Sequence, residues 1–453
     1  MQITPTINSL GIAPVLNTGF KSDVYLNRRT KLFEKLPPKS VVIIPNRNIS
    51  IWSNDVENKF KPDSDFYYLT GFQEPNSICI LKKEDGKNTF LLFLEPNDKE
   101  KEIWVGKRTG LDGAKSIYMA DESYPINDFN NQFKKLLDGM EHIYIPFGNN
   151  KDLDLKLTSC LGELKRNNRA GKKSPSFVGD PRDFIHKMRL IKDDFEINEI
   201  QTAANITKDA FQLAMFSTQP NILEYEIEAM LDSKFRSLGG GGPAYPSIVG
   251  SGVNATTLHY IKNNKQLQKD ELVLVDAGSE FNNYASDVTR TYPVTKKFTS
   301  PQKDIYQIVL EAQMKAIEEI KPGKQFIDPY NKAVSVIVDG LKGLGLLNGN
   351  TQEIIDKKEY KKFFMHNIGH WLGLDVHDAG PYIDDEGKSI KFTPGMVVTV
   401  EPGIYISNEL QDVPESYKGI GVRIEDDVLV TDSGNKVLTS GIPKTVQDIE
   451  AIK

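Results

Sequence analysis

The feature that most constrains the fold is a pair of similar phrases, each an apolar run that ends in an acid with a glycine two positions later. They are Val275-Asp276-Ala277-Gly278 and Val400-Glu401-Pro402-Gly403. A second acid-bearing phrase follows each of them and contains Asp287 in the first case and Glu425 in the second. The repetition predicts a duplicated unit, in which two β-hairpins face one another.

The two predicted hairpins would bring the acids close together. Asp276 and Asp287 flank the polar turn at residues 280–283, which separates two β-rich runs. A hairpin can place both side chains on one face, so two facing hairpins bring four carboxylates together. Carboxylates that follow apolar runs are costly to bury unless a cation or a proton compensates their charge. The pattern therefore predicts a metal centre.

A histidine completes the expected ligand set. His370, in the phrase Asn367-Ile368-Gly369-His370-Trp371, adds a nitrogen to the four carboxylates. Five ligands leave a single ion little open coordination, whereas two ions that share bridging carboxylates keep room for a water, as in hydrolases with paired metals. The oxygen-rich set favours manganese, or another hard divalent ion, over structural zinc. One such acid alone is more often a solvated turn or a helix cap, but five residues in matched contexts favour a site.

Longer phrases in the same half of the chain carry a resemblance. They comprise residues 186–192, 245–252, 258–260, 363–366, 370–378 and 419–427. With them the chain resembles the pita-bread metallopeptidases, and specifically those of the aminopeptidase P type. Residues 62–75 and 102–108 extend the resemblance, less densely, over nearly the whole chain. All five ligand positions match, which disfavours the creatinase branch of this fold, because that branch lacks the metal ligands.

The resemblance implies an α+β fold in two domains. Residues 181–453 are expected to form a pita-bread catalytic domain, a duplicated helix-plus-antiparallel-hairpin unit that holds a dinuclear metal site. Residues 1–180 are expected to form a smaller α/β domain of the creatinase-like kind, for substrate access and oligomerisation. A polar segment rich in glycine and proline, between Arg166 and Asp183, suits this boundary.

The resemblance also implies two divalent ions, taken as Mn²⁺, and a role for each ligand. Asp276 would bind one ion, His370 and Glu401 would hold the other, and Asp287 and Glu425 would bridge them. A metal-bridging water or hydroxide would attack the first peptide bond, with Glu401 as the proton acceptor.

Further pocket residues follow from the same resemblance. His259 would contact the scissile nitrogen, His377 would steady the developing oxyanion, and His366 would be a third pocket histidine. Arg423 would orient the carboxylates, and the alternative is an ordinary strand salt bridge. The entrance would be shaped by Trp104, Asp55 and Arg169, with Trp104 reaching in from a neighbouring subunit of a homodimer or homotetramer.

The predicted function is a metal-dependent aminopeptidase that hydrolyses the bond between an N-terminal residue and a following proline. Its partners would be peptides with proline at the second position. Two alternatives stay open: a prolidase acting on Xaa-Pro dipeptides, and a non-catalytic peptide-binding protein with the same fold. Methionine aminopeptidase fits less well because it needs no large N-terminal domain. A two-metal phosphoesterase should show more histidine or asparagine ligands and a basic pocket.

Composition excludes other classes of protein. The 453 residues carry a net charge of -6, which argues against a nucleic-acid surface. Two cysteines, Cys79 and Cys160, make a disulfide framework improbable and suit a reducing cytoplasm. No stretch approaches the roughly 20 apolar residues of a membrane span, and the N-terminus lacks the pattern of a secretion signal. We therefore expect a cytoplasmic enzyme that binds neither nucleic acid nor membrane.

Overall fold

A computed structural model describes residues 21–452. The chain divides into two compact units, and the division falls between Arg189 and Leu190. The sequence places it earlier, between residues 180 and 181. The helix Arg182–Leu190 stays with the first unit almost to its end. It does so because His186 and Arg189 bind Asp65 of that unit, at 3.1 and 2.7 Å.

The first unit is built on a six-stranded mixed sheet. In spatial order its strands are Glu122–Pro125, Lys87–Leu94, Ile78–Glu84, Ser40–Pro45, His142–Tyr144 and Phe177–Gly179. The three strands from Lys87–Leu94 to Ser40–Pro45 pair antiparallel, and the outer strands pair parallel. A separate hairpin joins Ile51–Ser53 to Val56–Glu57.

The helices of the first unit are Ser22–Lys35, Ser64–Thr70, Lys99–Val105, Gly110–Ser116, Phe129–Leu137, Lys151–Arg166 and Arg182–Leu190. The matching phrase at residues 62–75 contains the helix Ser64–Thr70 together with the residues that begin and end it. The Asp63 carboxylate caps this helix by accepting from the amides of Asp65 and Phe66, both at 3.0 Å. Gly71 ends it in the left-handed region, at φ 67°.

The second unit contains two hairpins with the same two-step pairing. In the first, Leu272–Ala277 pairs with Val288–Pro293, and Ser279–Phe281 pairs with Tyr284–Ala285. In the second, Val397–Val400 pairs with Asp426–Val430, and Gly403–Ile406 pairs with Ile420–Arg423. The predicted duplication is therefore confirmed. Short strands at the edges are Gly242–Pro243, Ile248–Ser251 and Asn435–Val437.

A pair of long helices precedes each hairpin. Asp194–Ser217 and Glu224–Ser237 precede the first, and Ser300–Glu319 and Ile327–Gly343 precede the second. Asp193 caps the first of these helices, since Asp193 and Glu196 bond reciprocally to each other's amides. The shorter helices are Thr351–Asp356 and Val446–Glu450.

The core of the second unit lies between the helices and the hairpins. Buried apolar side chains from both contribute to it, such as Phe211, Val275, Ile337 and Val428. Burial of this kind supplies most of the stabilisation that holds the hairpins in register. Within residues 21–452, no helix has both the length and the apolar character that crossing a membrane requires.

Candidate active site

The four acids of the two hairpins lie at or next to the points where strand pairing changes. Asp276 is one residue from the end of its strand, and Asp287 immediately precedes Val288–Pro293. Glu401 immediately follows Val397–Val400, and Glu425 immediately precedes Asp426–Val430. The pattern is therefore the same in both halves, and it places two acids on each hairpin at matching positions.

A glycine makes the first of these breaks possible. A Cβ atom on Gly278 would lie 1.7 Å from the backbone oxygen of Ser286. Only glycine permits these two segments of the hairpin to approach so closely. The residue after Ser286 is Asp287, so this approach fixes the backbone that carries one of the acids.

Three of the expected ligands already converge. One ligand atom from each of Asp287, His370 and Glu425 lies within 4.8 Å of the others. The His370 Nε2 atom is 3.2 Å from Asp287 Oδ2 and 3.9 Å from Glu401 Oε1. Glu401 therefore belongs to the same cluster.

Two side chains tie Asp276 into the cluster. The Tyr245 hydroxyl lies 2.7 Å from Asp276 Oδ1 and also within hydrogen-bond distance of Asp287 Oδ1, so its one proton is shared between the two acids. The Arg423 Nη2 atom donates to Asp276 Oδ2 at 2.6 Å. The geometry thus links both acids of the first hairpin to one hydroxyl, and one of them to an arginine from the second hairpin.

Neighbouring groups orient the other ligands. The His370 Nδ1 atom lies 3.0 Å from the backbone oxygen of Trp371, and a carbonyl can only accept. Nδ1 is therefore protonated, and in the neutral ring Nε2 presents its lone pair to the carboxylates. The Thr289 hydroxyl donates to Glu425 Oε2 at 2.7 Å and accepts from Arg423 Nε at 3.1 Å.

Burial and mutual repulsion disfavour the ionised forms of these acids. Burial raises the pKa of Glu401 to about 7, although His370 and Arg423 oppose the shift. Burial raises the pKa of Asp276 as well, and that of Glu425 well above its ordinary value, with Asp287 adding repulsion in both cases. For His370, burial lowers the pKa, but the hydrogen bond to Asp287 and its charge outweigh burial and bring it to about 9.

The donor set fits a pair of hard divalent ions. It consists of four carboxylates and one imidazole whose free nitrogen faces them. These groups are buried and repel one another, so positive charge placed among them would relieve the cost that raises their pKa values.

The cluster opens into a cavity of about 850 Å³. Asp276, His370, Glu401 and Arg423 line one part of it, together with His259, His366 and His377. Burial lowers the pKa of His366 to about 4, so this ring is neutral, and its Nε2 atom lies 2.8 Å from the Tyr405 hydroxyl. Burial, and then His370, lower the pKa of His377. The cavity is also lined by Phe326, Ile327, Tyr330, Tyr382 and Ile383.

Comparison with known proteins decides the family. Residues 198–432 match the model of metallopeptidase family M24, and residues 25–144 match the aminopeptidase P N-terminal domain. The chain belongs to metallopeptidase family M24. Xaa-Pro aminopeptidase of Escherichia coli K12 is 39% identical to it over 429 residues, which cover 94% of this chain and 97% of that protein.

Two further comparisons agree. Xaa-Pro aminopeptidase of Haemophilus influenzae is 41% identical over 424 residues, 93% of this chain and 95% of that one. The structure of Pseudomonas aeruginosa aminopeptidase PepP superimposes with a TM-score of 0.93 at 41% identity, covering 95% of this chain and 98% of that one. The sequence-based predictions of a pita-bread fold and of an M24 enzyme of the Xaa-Pro aminopeptidase type are confirmed.

Some residues of this M24 metallopeptidase were missed from the sequence. Tyr245 opens a phrase that supports the resemblance, but nothing in its spacing indicates that it bonds both Asp276 and Asp287. Tyr405 accepts from Arg423 Nη1 at 3.0 Å and was likewise not anticipated.

The three residues expected at the entrance lie in the first unit. Trp104 is 87% exposed, and Asp55 and Arg169 are also exposed. Their part in the M24 site stays a prediction.

Proposed function

We propose that this protein is an aminopeptidase that releases the first residue from peptides whose second residue is proline. The observation that carries the proposal is that one cavity is lined by the acid cluster, by three histidines and by apolar side chains such as Phe326, Ile327 and Ile383. Acid–base groups and a place for an apolar ring are therefore next to the site of hydrolysis. The likeness to Xaa-Pro aminopeptidases over nearly the whole chain supports the same reading.

The metal site would be dinuclear and would hold Mn²⁺. Asp276 would bind one ion, His370 and Glu401 the other, and Asp287 and Glu425 both. The oxygen-rich donor set supports Mn²⁺, since carboxylate oxygens suit hard divalent ions. When bound, the ions supply positive charge that lowers the pKa of water and polarises the scissile carbonyl group.

Glu401 acts as the general base. Its carboxylate takes a proton from water as the water oxygen bonds to the carbonyl carbon of the first peptide bond. The position of Glu401 supports this role, because the residue lines the cavity and lies beside the metal ligand His370. Arg423 holds Asp276 in place throughout, through the bond from Nη2.

The leaving group must also be protonated. A proline nitrogen in a peptide bond carries no hydrogen, so it departs as an amine only after it gains a proton. The proton that Glu401 accepted passes to this nitrogen as the C–N bond breaks, so that proline leaves as a neutral amine. His259 contacts the nitrogen, and His377 donates a hydrogen bond to the oxygen that gains negative charge. His366 is the third histidine of the pocket, and its low pKa supports a neutral ring there.

A prolidase is the alternative, because it would use the same ligands. The cavity favours the aminopeptidase, since its volume of about 850 Å³ lies in the upper part of the range of roughly 300–1,000 Å³ for small-molecule sites. A dipeptide alone would fill little of it.

The test compares an Xaa-Pro dipeptide, an Xaa-Pro-Xaa tripeptide and an Xaa-Ala-Xaa tripeptide as substrates of the protein loaded with Mn²⁺. Release of the first residue from Xaa-Pro-Xaa, without cleavage of Xaa-Ala-Xaa, is the expected result. Cleavage of the dipeptide alone would establish a prolidase. Failure to cleave any of the three would favour a non-catalytic peptide-binding protein.

We also propose a homodimer or homotetramer, in which Trp104 contributes to the pocket entrance of a neighbouring subunit. Its exposure supports this, because a tryptophan that is 87% exposed in the isolated chain is unusual. Asp55 and Arg169 would act at the same entrance. A cytoplasmic location stays a prediction, and the two buried, unpaired cysteines are consistent with it.

A further inference from the structure

The loop that carries His259 is anchored in an unusual way. Residues 257–265 form neither helix nor strand, and an isolated bridge between Gln266 and Leu223 follows them. Among the described residues, none makes a hydrogen bond with the imidazole of His259, which lines the cavity. The position of this ring in the pocket therefore depends on how the loop backbone is held.

A buried carboxylate, that of Glu224, holds this loop through hydrogen bonds. Glu224, the first residue of the helix Glu224–Ser237, is 0% exposed. Its Oε1 atom accepts from the amide of Ser251 at 2.7 Å, from the Ser251 hydroxyl at 2.9 Å and from Asn254 Nδ2 at 3.1 Å. Its Oε2 atom accepts from the Tyr260 hydroxyl and from the amide of Lys265, both at 2.9 Å.

These five donors bracket His259 in the sequence. Ser251 and Asn254 precede it, Tyr260 follows it directly, and Lys265 ends the segment. These five donors fill the hydrogen-bonding capacity of an ionised carboxylate, which has about four lone-pair sites on two oxygens. Such charge-assisted bonds are about twice as strong as neutral ones, and a buried carboxylate that is fully bonded rigidifies its surroundings.

A side chain next to Glu224 on the helix adds a second anchor. Glu228 lies one turn later and accepts from Asn263 Nδ2 at 2.8 Å. The same amide donates to the backbone oxygen of Ser247 at 2.8 Å, and Asn263 Oδ1 accepts from the amide of Val249 at 3.0 Å. The loop is thus fixed at both ends. Immediately beside His259, the Tyr260 hydroxyl lies 2.9 Å from Glu224 Oε2 and 3.3 Å from Asn264 Oδ1, and the shorter contact is the one to the buried carboxylate.

We propose that Glu224 is a positioning residue for catalysis, which sets the place of His259 in the pocket through its hydrogen bond with Tyr260. The inference rests on the proposed function, in which His259 contacts the scissile nitrogen. Glu224 touches no reacting atom in this account. It acts by holding the loop. Replacing Glu224 should therefore lower kcat without changing the amount of metal bound.

The most direct test is a double-mutant cycle between Tyr260→Phe and His259→Ala in the full chain loaded with Mn²⁺. Tyr260→Phe removes the single hydroxyl next to His259. We expect it to lower kcat for an Xaa-Pro-Xaa tripeptide about tenfold, with KM changed less than about twofold, because a small misplacement of a catalytic group is costly. In the His259→Ala background the same change should have almost no further effect on kcat.

Glu224→Gln extends the test to the carboxylate itself. Glutamine keeps the shape but places an NH₂ donor against groups that also donate, so a larger fall in kcat is expected. Glu226→Gln is the matched control on the same helix, since Glu226 bonds only the amide of Leu223 there. Bound Mn²⁺ should stay at two per chain in every variant, and thermal unfolding identifies any variant that fails to fold.

The outcomes separate this inference from the proposed function. If Tyr260→Phe lowers kcat by the same factor with and without His259, or leaves kcat unchanged in the wild-type background, Glu224 does not act through His259. The inference then fails while the aminopeptidase stands. If His259→Ala alone keeps the wild-type kcat, the role proposed for His259 fails, and this inference fails with it.

Discussion

Arg423 donates from Nη2 to Oδ2 of Asp276 at 2.6 Å, and this bond joins the two hairpins across the acid cluster. The same guanidinium reaches Tyr405 through Nη1 at 3.0 Å and Thr289 through Nε at 3.1 Å. Three nitrogens of one planar group therefore orient three partners, which a lysine could not do.

Arg423→Lys tests that arrangement. Lysine keeps the positive charge but reaches fewer of the three acceptors, and each lost charge-assisted bond is worth roughly 1.5–3 kcal/mol. We expect kcat/KM for an Xaa-Pro-Xaa tripeptide to fall roughly ten- to hundredfold, while the protein stays folded. Steady-state kinetics with saturating Mn²⁺ measures it. A variant with kinetics close to the wild type would show that the charge alone suffices.

Metal binding should depend on pH. In the metal-free protein the pKa of Glu401 is about 7 and that of His370 is about 9, so both groups hold a proton at about pH 6. Both must lose it to act as ligands, and at about pH 8 Glu401 has already lost its proton. Affinity for Mn²⁺ should therefore rise with pH, and fewer protons should be released at pH 8 than at pH 6.

Calorimetry in two buffers of different ionisation enthalpy counts the protons released on metal binding. The comparison at about pH 6 and pH 8 uses wild-type protein stripped of metal. An affinity that is unchanged across this range, with no proton release, would contradict the electrostatic account of the cluster.

Gly278→Ala tests the close approach of the first hairpin. The added Cβ would meet the backbone oxygen of Ser286 at 1.7 Å, so the strands must separate next to Asp287. Overpacking of this kind costs roughly 1–3 kcal/mol in the free energy of unfolding. Urea denaturation measures the loss, and bound Mn²⁺ should also decrease. Gly434→Ala is the control, since nothing lies within 4 Å of its Cβ position; an equal loss in both variants would refute the argument.

Trp104→Ala tests the contribution of a neighbouring subunit. We expect kcat/KM for the tripeptide to fall roughly tenfold without a change in thermal unfolding, because the side chain is 87% exposed and adds little to the fold of its own chain. Trp52→Ala is the matched control, with a tryptophan that is 78% exposed in the same unit. Unchanged kinetics in the Trp104 variant would remove the idea.

The sequence predicted the hairpins and the acids because their information is local. An apolar run, an acid and a glycine specify a strand and its end, and the repetition of this pattern around Asp276 and Glu401 reveals the duplication. The long matching phrases then supplied the roles, which no spacing within this chain would have assigned.

The supporting network was not predictable in the same way. Arg290 is fully buried and bonds Asp426 at 2.7 Å, while Lys444, in a tail without any motif, bonds the same carboxylate at 2.6 Å. Tyr245 and Glu224 also act on groups that are distant in the sequence. Contacts of this kind depend on how the hairpins and helices pack. The polar residues that make them have no regular spacing in the sequence that would reveal them.

The measurement that tests the central claim most directly is hydrolysis of an Xaa-Pro-Xaa tripeptide by metal-stripped protein as Mn²⁺ is added. The account predicts that activity starts near background and saturates at two equivalents of metal, and that Asp287→Asn, which keeps the shape but loses the charge of a bridging ligand, stays near background. Full activity of the stripped protein, or equal activity of Asp287→Asn and the wild type, would contradict it.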